Sequence, residues 1–405
     1  MKKFPKKPAK IKTVYLDHAA ATPTDPRVIK AMLPFFIKKF GNPSALYKFG
    51  RTSNEAISDA RQTIAQILFT QPDTIIFTSG GTEANNLALF GSARALQKHG
   101  KHIITTAIEH HSVLQPLRQL EKENFSVTYL PTNKFGEINL TELKKNIRPD
   151  TVLITLMYAN NEIGAINPIA AIGRELLKWR KKHNTPYPYF HTDACQAAPW
   201  LDLQVERLHV DLLTLNGSKI YGPKGVGVLF KRRGVNVAPL ILGGGQERGL
   251  RSGTENVPAI VGMAMALALV QFGREKESKR LERLRNYFWQ KIKTKIKDAQ
   301  LNGPVLSLRN RLPNNLNFRF PNIEGETLVL YLDEYGIVSA TGSACASDSL
   351  ESSHVLQAIG LSDAEARDSV RFTLGKTTTK QEIDYVLKYL PSVIRALRAT
   401  KIYAK

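Results

Sequence analysis

Between about residues 75 and 230 the chain alternates short β-rich runs with amphipathic segments of helix length. Several of these runs are apolar throughout, which is typical of strands that helices cover on both faces. The alternation therefore predicts an α/β fold with a mostly parallel sheet. Seven strands are expected, at residues 75–78, 103–106, 127–130, 152–157, 189–192, 212–215 and 226–230.

After Pro258 the pattern changes and indicates a smaller α+β domain. A charged helix places a set of apolar residues at spacings of three and four, and so on one buried face; they are Leu281, Leu284, Phe288, Ile292 and Ile296. Candidate strands follow at 315–320, near Ile337 and at 370–374, and a final helix begins at Lys380. We expect a large domain over residues 16–262 and a small domain formed by residues 1–15 and 263–405.

Composition excludes several classes of protein. The longest apolar stretch, around residues 260–270, is shorter than the roughly 18 residues needed to cross a bilayer, so no membrane association is expected. The formal charge of +22 would allow loose, salt-sensitive nucleic-acid binding at most. Two cysteines, Cys195 and Cys345, in very different surroundings argue against a disulfide framework or a metal site. A cytoplasmic, reducing location fits best.

Glycines stand where one predicted strand passes into a helix, in the string TSGGTE at residues 78–83. A helix N-terminus offers unpaired N–H groups and a positive dipole end, and glycine lets a phosphate approach the backbone. The string favours a phosphate site, although an ordinary capped turn would look the same.

Two further strands end in residues suited to chemistry. Asp193 ends one buried strand, where open α/β sheets place their ligands. Its carboxylate there needs a cationic partner such as a protonated pyridine nitrogen, unless Asp193 merely caps the next helix. Lys219 follows the next strand among glycines, where desolvation lowers the pKa of an amine and suits it to Schiff-base formation.

The two cysteines differ in their surroundings. Cys345 lies in a run of small residues, TGSACAS at 341–347, which indicates an exposed loop and a reactive thiol. Cys195, between Ala194 and Ala197, is expected to be a small packed residue.

These motifs, taken together, resemble those of the NifS/IscS cysteine desulfurases in the class V aminotransferase superfamily, from Tyr15 to about Leu397. The strings that carry the resemblance are YLDHAAATP, GNPSALYKFGR, FTSGGTEANN, EHHSVL, ANNEIG, HTDACQA, GSKIYGPKGVG, GGGQERGLRSGTEN, GSACAS and VRFTLG. The resemblance implies a fold-type I enzyme dependent on pyridoxal 5′-phosphate, a homodimer that acts on L-cysteine. It also implies sulfur-acceptor proteins, namely an iron–sulfur scaffold or tRNA-thiolation proteins.

The resemblance also implies residue roles. Lys219 would form the Schiff base with the cofactor, Asp193 would pair with the pyridine nitrogen, and His110 would stack on the ring and assist proton transfer. Arg371 would bind the substrate carboxylate, Cys345 would accept the sulfur, and Asn161 would contact both substrate and cofactor. Further cofactor contacts would come from Gly81, Thr82, Gln196, Asn216, Ser218 and, across the dimer, Thr254.

Two positions depart from the family pattern. Ser218 stands where relatives have His before the lysine, which predicts weaker cofactor electrostatics. Tyr47 replaces a His of the substrate entrance, with an effect the sequence does not predict. The alternatives left open are a selenocysteine lyase or an aminotransferase on the same fold that does not use Cys345, and a basic nucleic-acid-binding protein with a vestigial site.

Overall fold

The computed structural model describes residues 4–307, 310–342 and 352–400. Its strands, in chain order, are β1 (Val14–Tyr15), β2 (Ile75–Thr78), β3 (His102–Thr106), β4 (Ser126–Leu130), β5 (Thr151–Thr155), β6 (Tyr189–Asp193), β7 (Leu212–Asn216), β8 (Gly227–Lys231), β9 (Gln300–Leu301), β10 (Asn315–Arg319), β11 (Ile337–Val338) and β12 (Ser369–Thr373).

Its α-helices are α1 (Pro26–Met32), α2 (Pro34–Ile37), α3 (Lys48–Leu68), α4 (Gly81–Leu96), α5 (His111–Lys122), α6 (Leu140–Asn146), α7 (Ile169–His183), α8 (Val205–Leu208), α9 (Val257–Phe272), α10 (Arg274–Lys295), α11 (Gly325–Asp333), α12 (His354–Ala358), α13 (Asp363–Arg367) and α14 (Lys380–Ala399).

One seven-stranded sheet has the order β2-β8-β7-β6-β5-β3-β4. The strands β3 to β7 are parallel, whereas β8 runs antiparallel to both β2 and β7. The prediction of a mostly parallel seven-stranded α/β sheet is confirmed. Strand ends differ from the expected ones by up to two residues, as in β5, which ends at Thr155 rather than at residue 157.

Both faces of this sheet are buried, which explains the apolar runs. Within β2, Ile75 and Phe77 belong to one hydrophobic cluster, and Ile76 between them belongs to another. Successive side chains of a strand point to opposite faces, so the two clusters lie on opposite sides of the sheet. Only strands covered on both faces by helices need apolar residues at every position.

A second set of strands lies in the C-terminal part of the chain. β9, β10 and β12 form an antiparallel sheet, and β1 pairs in parallel with β11. The predicted apolar face of α10 is present, since Leu281, Phe288 and Ile292 are buried. The domain boundaries at residues 15/16 and 262/263 stay a prediction.

Within the described part of the chain, no single helix is long and apolar enough to span a bilayer. Taken together, α9 and α10 meet those requirements of length and composition, but they are bent by 68° where they join.

Candidate active site

The strands β6 and β7 bring two predicted site residues to one edge of the sheet. Asp193 is the last residue of β6, and in β7 its partner is Thr214, two residues before that strand ends at Asn216. A short 3₁₀ turn, Gly217–Lys219, follows directly. Parallel strands present their carboxyl ends at the same edge, so Asp193 and Lys219 open into one cavity.

This cavity contains nine of the predicted site residues. They are Gly81, Thr82, His110, Asn161, Asp193, Gln196, Asn216, Lys219 and Arg371. Residues far apart in the chain are thus brought together as the sequence predicts. The chemical role of each stays a prediction.

A chain of hydrogen bonds joins Asp193 to His110. The Asn85 amide Nδ2 donates to Asp193 Oδ2 at 2.7 Å and to Ser112 Oγ at 2.8 Å. His110 Nδ1 accepts the Ser112 N–H at 3.1 Å and lies 2.7 Å from Ser112 Oγ. Burial lowers the pKa of His110, which favours a neutral ring with the proton on Nε2. The network therefore fixes the orientation and the tautomer of His110.

Neutral donors hydrogen-bond the Asp193 carboxylate, which is only 8% exposed. Besides Asn85, the backbone N–H of Cys195 donates to Asp193 Oδ1 at 2.9 Å. A buried carboxylate gains most from a cation, so the cavity is complementary to a ligand with a positively charged ring nitrogen.

Lys219 is held against the segment that contains Ala19 and Ala20. Its Nζ donates to the carbonyl oxygens of both residues, at 2.9 Å for Ala19. Gln196 Nε2 donates to the same Ala19 oxygen at 2.9 Å. The amine thus has a defined position inside the cavity.

The N-terminus of α4 forms another wall of the cavity. A Cβ on Gly81 would lie 3.0 Å from Cys195 Sγ and 3.3 Å from Asn216 Cβ, so the glycine permits a close approach. Unpaired N–H groups and the helix dipole favour an anion at such an end. A phosphate group would fit here, beside Thr82.

Arg371 lies in β12 and is 1% exposed. Its Nη2 donates to Asp17 Oδ1 at 2.7 Å, and its Nη1 donates to the Asn161 carbonyl oxygen at 3.2 Å. The buried Nε has no hydrogen-bond partner among the described residues. The guanidinium is therefore anchored but keeps donor capacity for an anionic ligand.

Two predicted residues, Ser218 and Thr254, do not line this cavity, and a third lies outside the described residues. The Ser218 hydroxyl lies 3.2 Å from Oδ1 of Asn216, a residue that does line the cavity. Thr254 lines a different pocket, beside Phe40 and Pro43. Cys345 falls outside the described residues.

Several residues of this site were not predicted from the sequence. Asn85 lies one helical turn after Gly81 on α4, and that spacing was the available signal. Ser112 and Asp17 lie in the strings EHHSVL and YLDHAAATP of the family resemblance, but no role was predicted for either. Cys195 is buried as expected, but it also lines the cavity, and burial raises the pKa of its thiol. Tyr47, which departs from the family pattern, is 62% exposed and precedes α3.

Comparisons with known proteins agree in fold and sequence. A family model described as Aminotransferase class-V matches residues 14–386. The cysteine desulfurase IscS of Dictyoglomus turgidum is 49% identical over 390 residues, which make up 96% of each chain. A solved structure named NifS-like protein has a TM-score of 0.88 at 37% identity and covers 95% of this chain and 100% of its own. Another, SspA in complex with cysteine, has a TM-score of 0.77 at 38% identity, with coverages of 89% and 99%.

Proposed function

The chain belongs to the aminotransferase class-V family, and we propose that it is a cysteine desulfurase that moves the sulfur of L-cysteine onto its own Cys345. In the overall reaction, cysteine and the Cys345 thiol give alanine and a Cys345 persulfide. The thiolate attacks the substrate sulfur, a sulfur–sulfur bond forms, and the carbon–sulfur bond breaks. The electron pair of that bond stays with the substrate carbon, which takes up a proton to complete alanine.

The residues of the cavity fit pyridoxal 5′-phosphate. Asp193 offers a buried carboxylate for the ring nitrogen, the N-terminus of α4 at Gly81 suits the phosphate, and Lys219 supplies the amine for the aldehyde. When bound, this cofactor provides an electron sink for the pair released at the substrate Cα.

Several residues of the chain would act on the substrate or on protons. Lys219 would hold the cofactor aldehyde and, as a free amine, would take the Cα proton of the substrate. Arg371 binds the substrate carboxylate, for which its planar fork is suited. His110 holds a proton on Nε2 next to the reacting atoms, because its Nδ1 is occupied by Ser112.

The observation that carries the proposal is that the described flanks of Cys345 contact Arg371, which lines the Lys219 cavity, and the two sequence neighbours of His110, which also lines it. On the N-terminal side, Ala340 forms an antiparallel bridge with Arg371. The Arg371 N–H donates to the Ala340 oxygen at 2.6 Å, and the Ala340 N–H donates to the Arg371 oxygen at 3.2 Å. Cys345 thus lies five residues after Ala340, which is hydrogen-bonded directly to the cavity residue Arg371.

On the C-terminal side, His354 contacts the start of α5. Its Nε2 lies 2.9 Å from the carbonyl oxygen of Glu109, the residue before His110. The rings of His354 and His111 are 4.8 Å apart. Both ends of the segment with the thiol therefore lie at the site where the substrate sulfur would be held.

The finer assignments follow from the same proposal. The enzyme works as a homodimer in which Thr254 of the partner subunit contacts the cofactor phosphate. The persulfide is passed to an iron–sulfur scaffold or to tRNA-thiolation proteins in the cytoplasm. Ser218 adds its hydroxyl near the phosphate, with weaker electrostatics than a histidine would provide.

Product analysis tests the proposal. The holoenzyme with L-cysteine and a thiol reductant should release alanine and sulfide in equal amounts. Lys219→Ala should abolish both products, whereas Lys224→Ala, which removes an exposed lysine of the same loop, should not. Formation of a keto acid from cysteine without sulfide would instead favour an aminotransferase.

A further inference from the structure

Glu162 lies between a cavity residue and the two described residues in its surroundings that flank Cys345 most closely, Gly342 and Ser353. Its neighbour Asn161 lines the cavity, while the Glu162 side chain is buried elsewhere, the whole residue being 1% exposed. Glu162 Oε2 accepts a hydrogen bond from Ser353 Oγ. The same oxygen lies 3.2 Å from the position a Cβ on Gly342 would take. The carboxylate thus accepts a hydrogen bond on the C-terminal side of Cys345 and lies close to Gly342 on the N-terminal side.

The backbone that bears this carboxylate is held from two sides. Asn160 Oδ1 accepts the N–H groups of Glu162 and Ile163, at 2.8 and 2.9 Å. The Glu162 carbonyl oxygen accepts from Asn315 Nδ2 at 3.1 Å and from Asn317 Nδ2 at 3.3 Å. Glu162 is therefore a fixed point, and the groups that contact its carboxylate take their positions from it.

The location of Gly342 limits where the thiol can act. Cys345 is the third residue after Gly342, and three residues span at most about 11 Å when extended. A shift of Gly342 or of Ser353 therefore changes the reach of Cys345. Misplacing a reacting group by about 1 Å can slow a reaction about 100-fold.

We infer that Glu162 is a positioning residue for sulfur transfer: its carboxylate holds Gly342 and Ser353 at the separation from which Cys345 reaches the substrate sulfur. This inference rests on the proposed desulfurase function. A carboxylate serves better than an amide, because either of its oxygens can accept the Ser353 hydroxyl, whereas an amide offers one acceptor oxygen and an NH₂ donor. Glycine at position 342 leaves room for the contact.

The test uses two readouts on the holoenzyme in a single turnover with L-cysteine. The absorbance change of the bound cofactor reports substrate binding at Lys219, and mass spectrometry reports the rate of persulfide formation on Cys345. For Glu162→Ala we expect the absorbance change to persist while persulfide formation slows about 10- to 100-fold. Glu162→Gln should lie between this variant and the wild type.

Variants of Ser353 distinguish its contact with Glu162 from its role as a helix cap. Ser353 also caps α12 through Leu356. Ser353→Thr keeps the hydroxyl and should match the wild type, whereas Ser353→Asp keeps a cap but opposes the Glu162 charge and should slow transfer. Ser352→Ala is the matched control, since the Ser352 hydroxyl donates to Asp363 at 2.6 Å instead.

The inference would be overturned if Glu162→Ala formed the persulfide at the wild-type rate. If that variant does not fold, wild-type rates in both Glu162→Gln and Ser353→Asp would overturn it. Loss of the absorbance change together with the persulfide would also overturn it, because the carboxylate would then serve the cofactor cavity. If the wild type itself forms no persulfide on Cys345, the proposed function fails, and that result is recognisable without any variant.

Discussion

Replacing Asp193 by Asn should weaken binding of pyridoxal 5′-phosphate far more than it disturbs the fold. The new side chain has the same shape, and its oxygen can still accept the Cys195 N–H, now at 2.9 Å. Asn85 Nδ2 would face another NH₂ group, but Asn85 Oδ1 has no partner among the described residues. Rotating the Asn85 amide would therefore restore the hydrogen bond to residue 193, with loss of the one that Asn85 Nδ2 donates to Ser112.

The magnitude follows from the burial of Asp193. Removing one charge of a buried, hydrogen-bonded pair costs about 2–5 kcal/mol. With Asp193 only 8% exposed, we expect about 3 kcal/mol, which corresponds to an increase of about 150-fold in the cofactor Kd. Without cofactor no such pair exists, so the free energy of unfolding should change by about 1 kcal/mol or less.

Both quantities can be measured on protein stripped of cofactor. Titration with pyridoxal 5′-phosphate, followed by absorbance, gives the Kd, and urea unfolding gives the stability. Asp150→Asn, at an exposed ion pair with Arg148, is the control and should change neither. A Kd within about threefold of the wild type would refute the pairing with the ring nitrogen. A loss of several kcal/mol from the unfolding free energy without cofactor would show that Asp193 serves the fold instead.

Three further predictions concern buried residues in or near the cavity. Asp17→Asn leaves the Arg371 cation without its buried counter-ion and should lower the unfolding free energy by about 3 kcal/mol. The control Asp150→Asn should lower it by less than about 1 kcal/mol. Equal losses for the two variants in urea unfolding would contradict this prediction. Burial raises the pKa of Glu109 from 4.5 to about 8. Between these two pH values the folded protein binds a proton that the unfolded chain does not bind. The wild type should therefore lose stability relative to Glu109→Gln as the pH rises from 4.5 to about 8, by up to about 1.4 kcal/mol per pH unit. A pH-independent difference would exclude that shift. Gly81→Ala should weaken cofactor binding, because the new Cβ would stand in the cavity wall that is to hold the phosphate. It should also lower the melting temperature slightly, because that Cβ would lie 3.0 Å from Cys195 Sγ. Unaltered affinity would show that this wall is not in contact with the cofactor.

The fold could be predicted because burial on both faces leaves a direct trace in the sequence. The apolar run Ile75–Thr78 indicates a covered strand regardless of its neighbours. The direction of β8 leaves no such trace, since Gly227–Lys231 is equally apolar whether it runs parallel or antiparallel.

The site could be predicted in part for a similar reason. Asp193 and Lys219 end neighbouring strands, and the geometry of a parallel sheet brings such ends together. Asn85, Ser112 and Asp17 were missed because a hydrogen-bond partner depends on tertiary geometry, which hydrophobic periodicity does not encode. The hydrogen bond between Glu162 and Ser353, 191 positions apart, depends on tertiary geometry in the same way.

The most direct measurement is mass spectrometry of Cys345 after incubation of the holoenzyme with L-cysteine. The thiol should gain one sulfur atom that a reductant removes, in the wild type and not in Lys219→Ala. An enzyme that releases alanine from cysteine while Cys345 stays unmodified, or a persulfide that forms equally well in Lys219→Ala, would contradict the account.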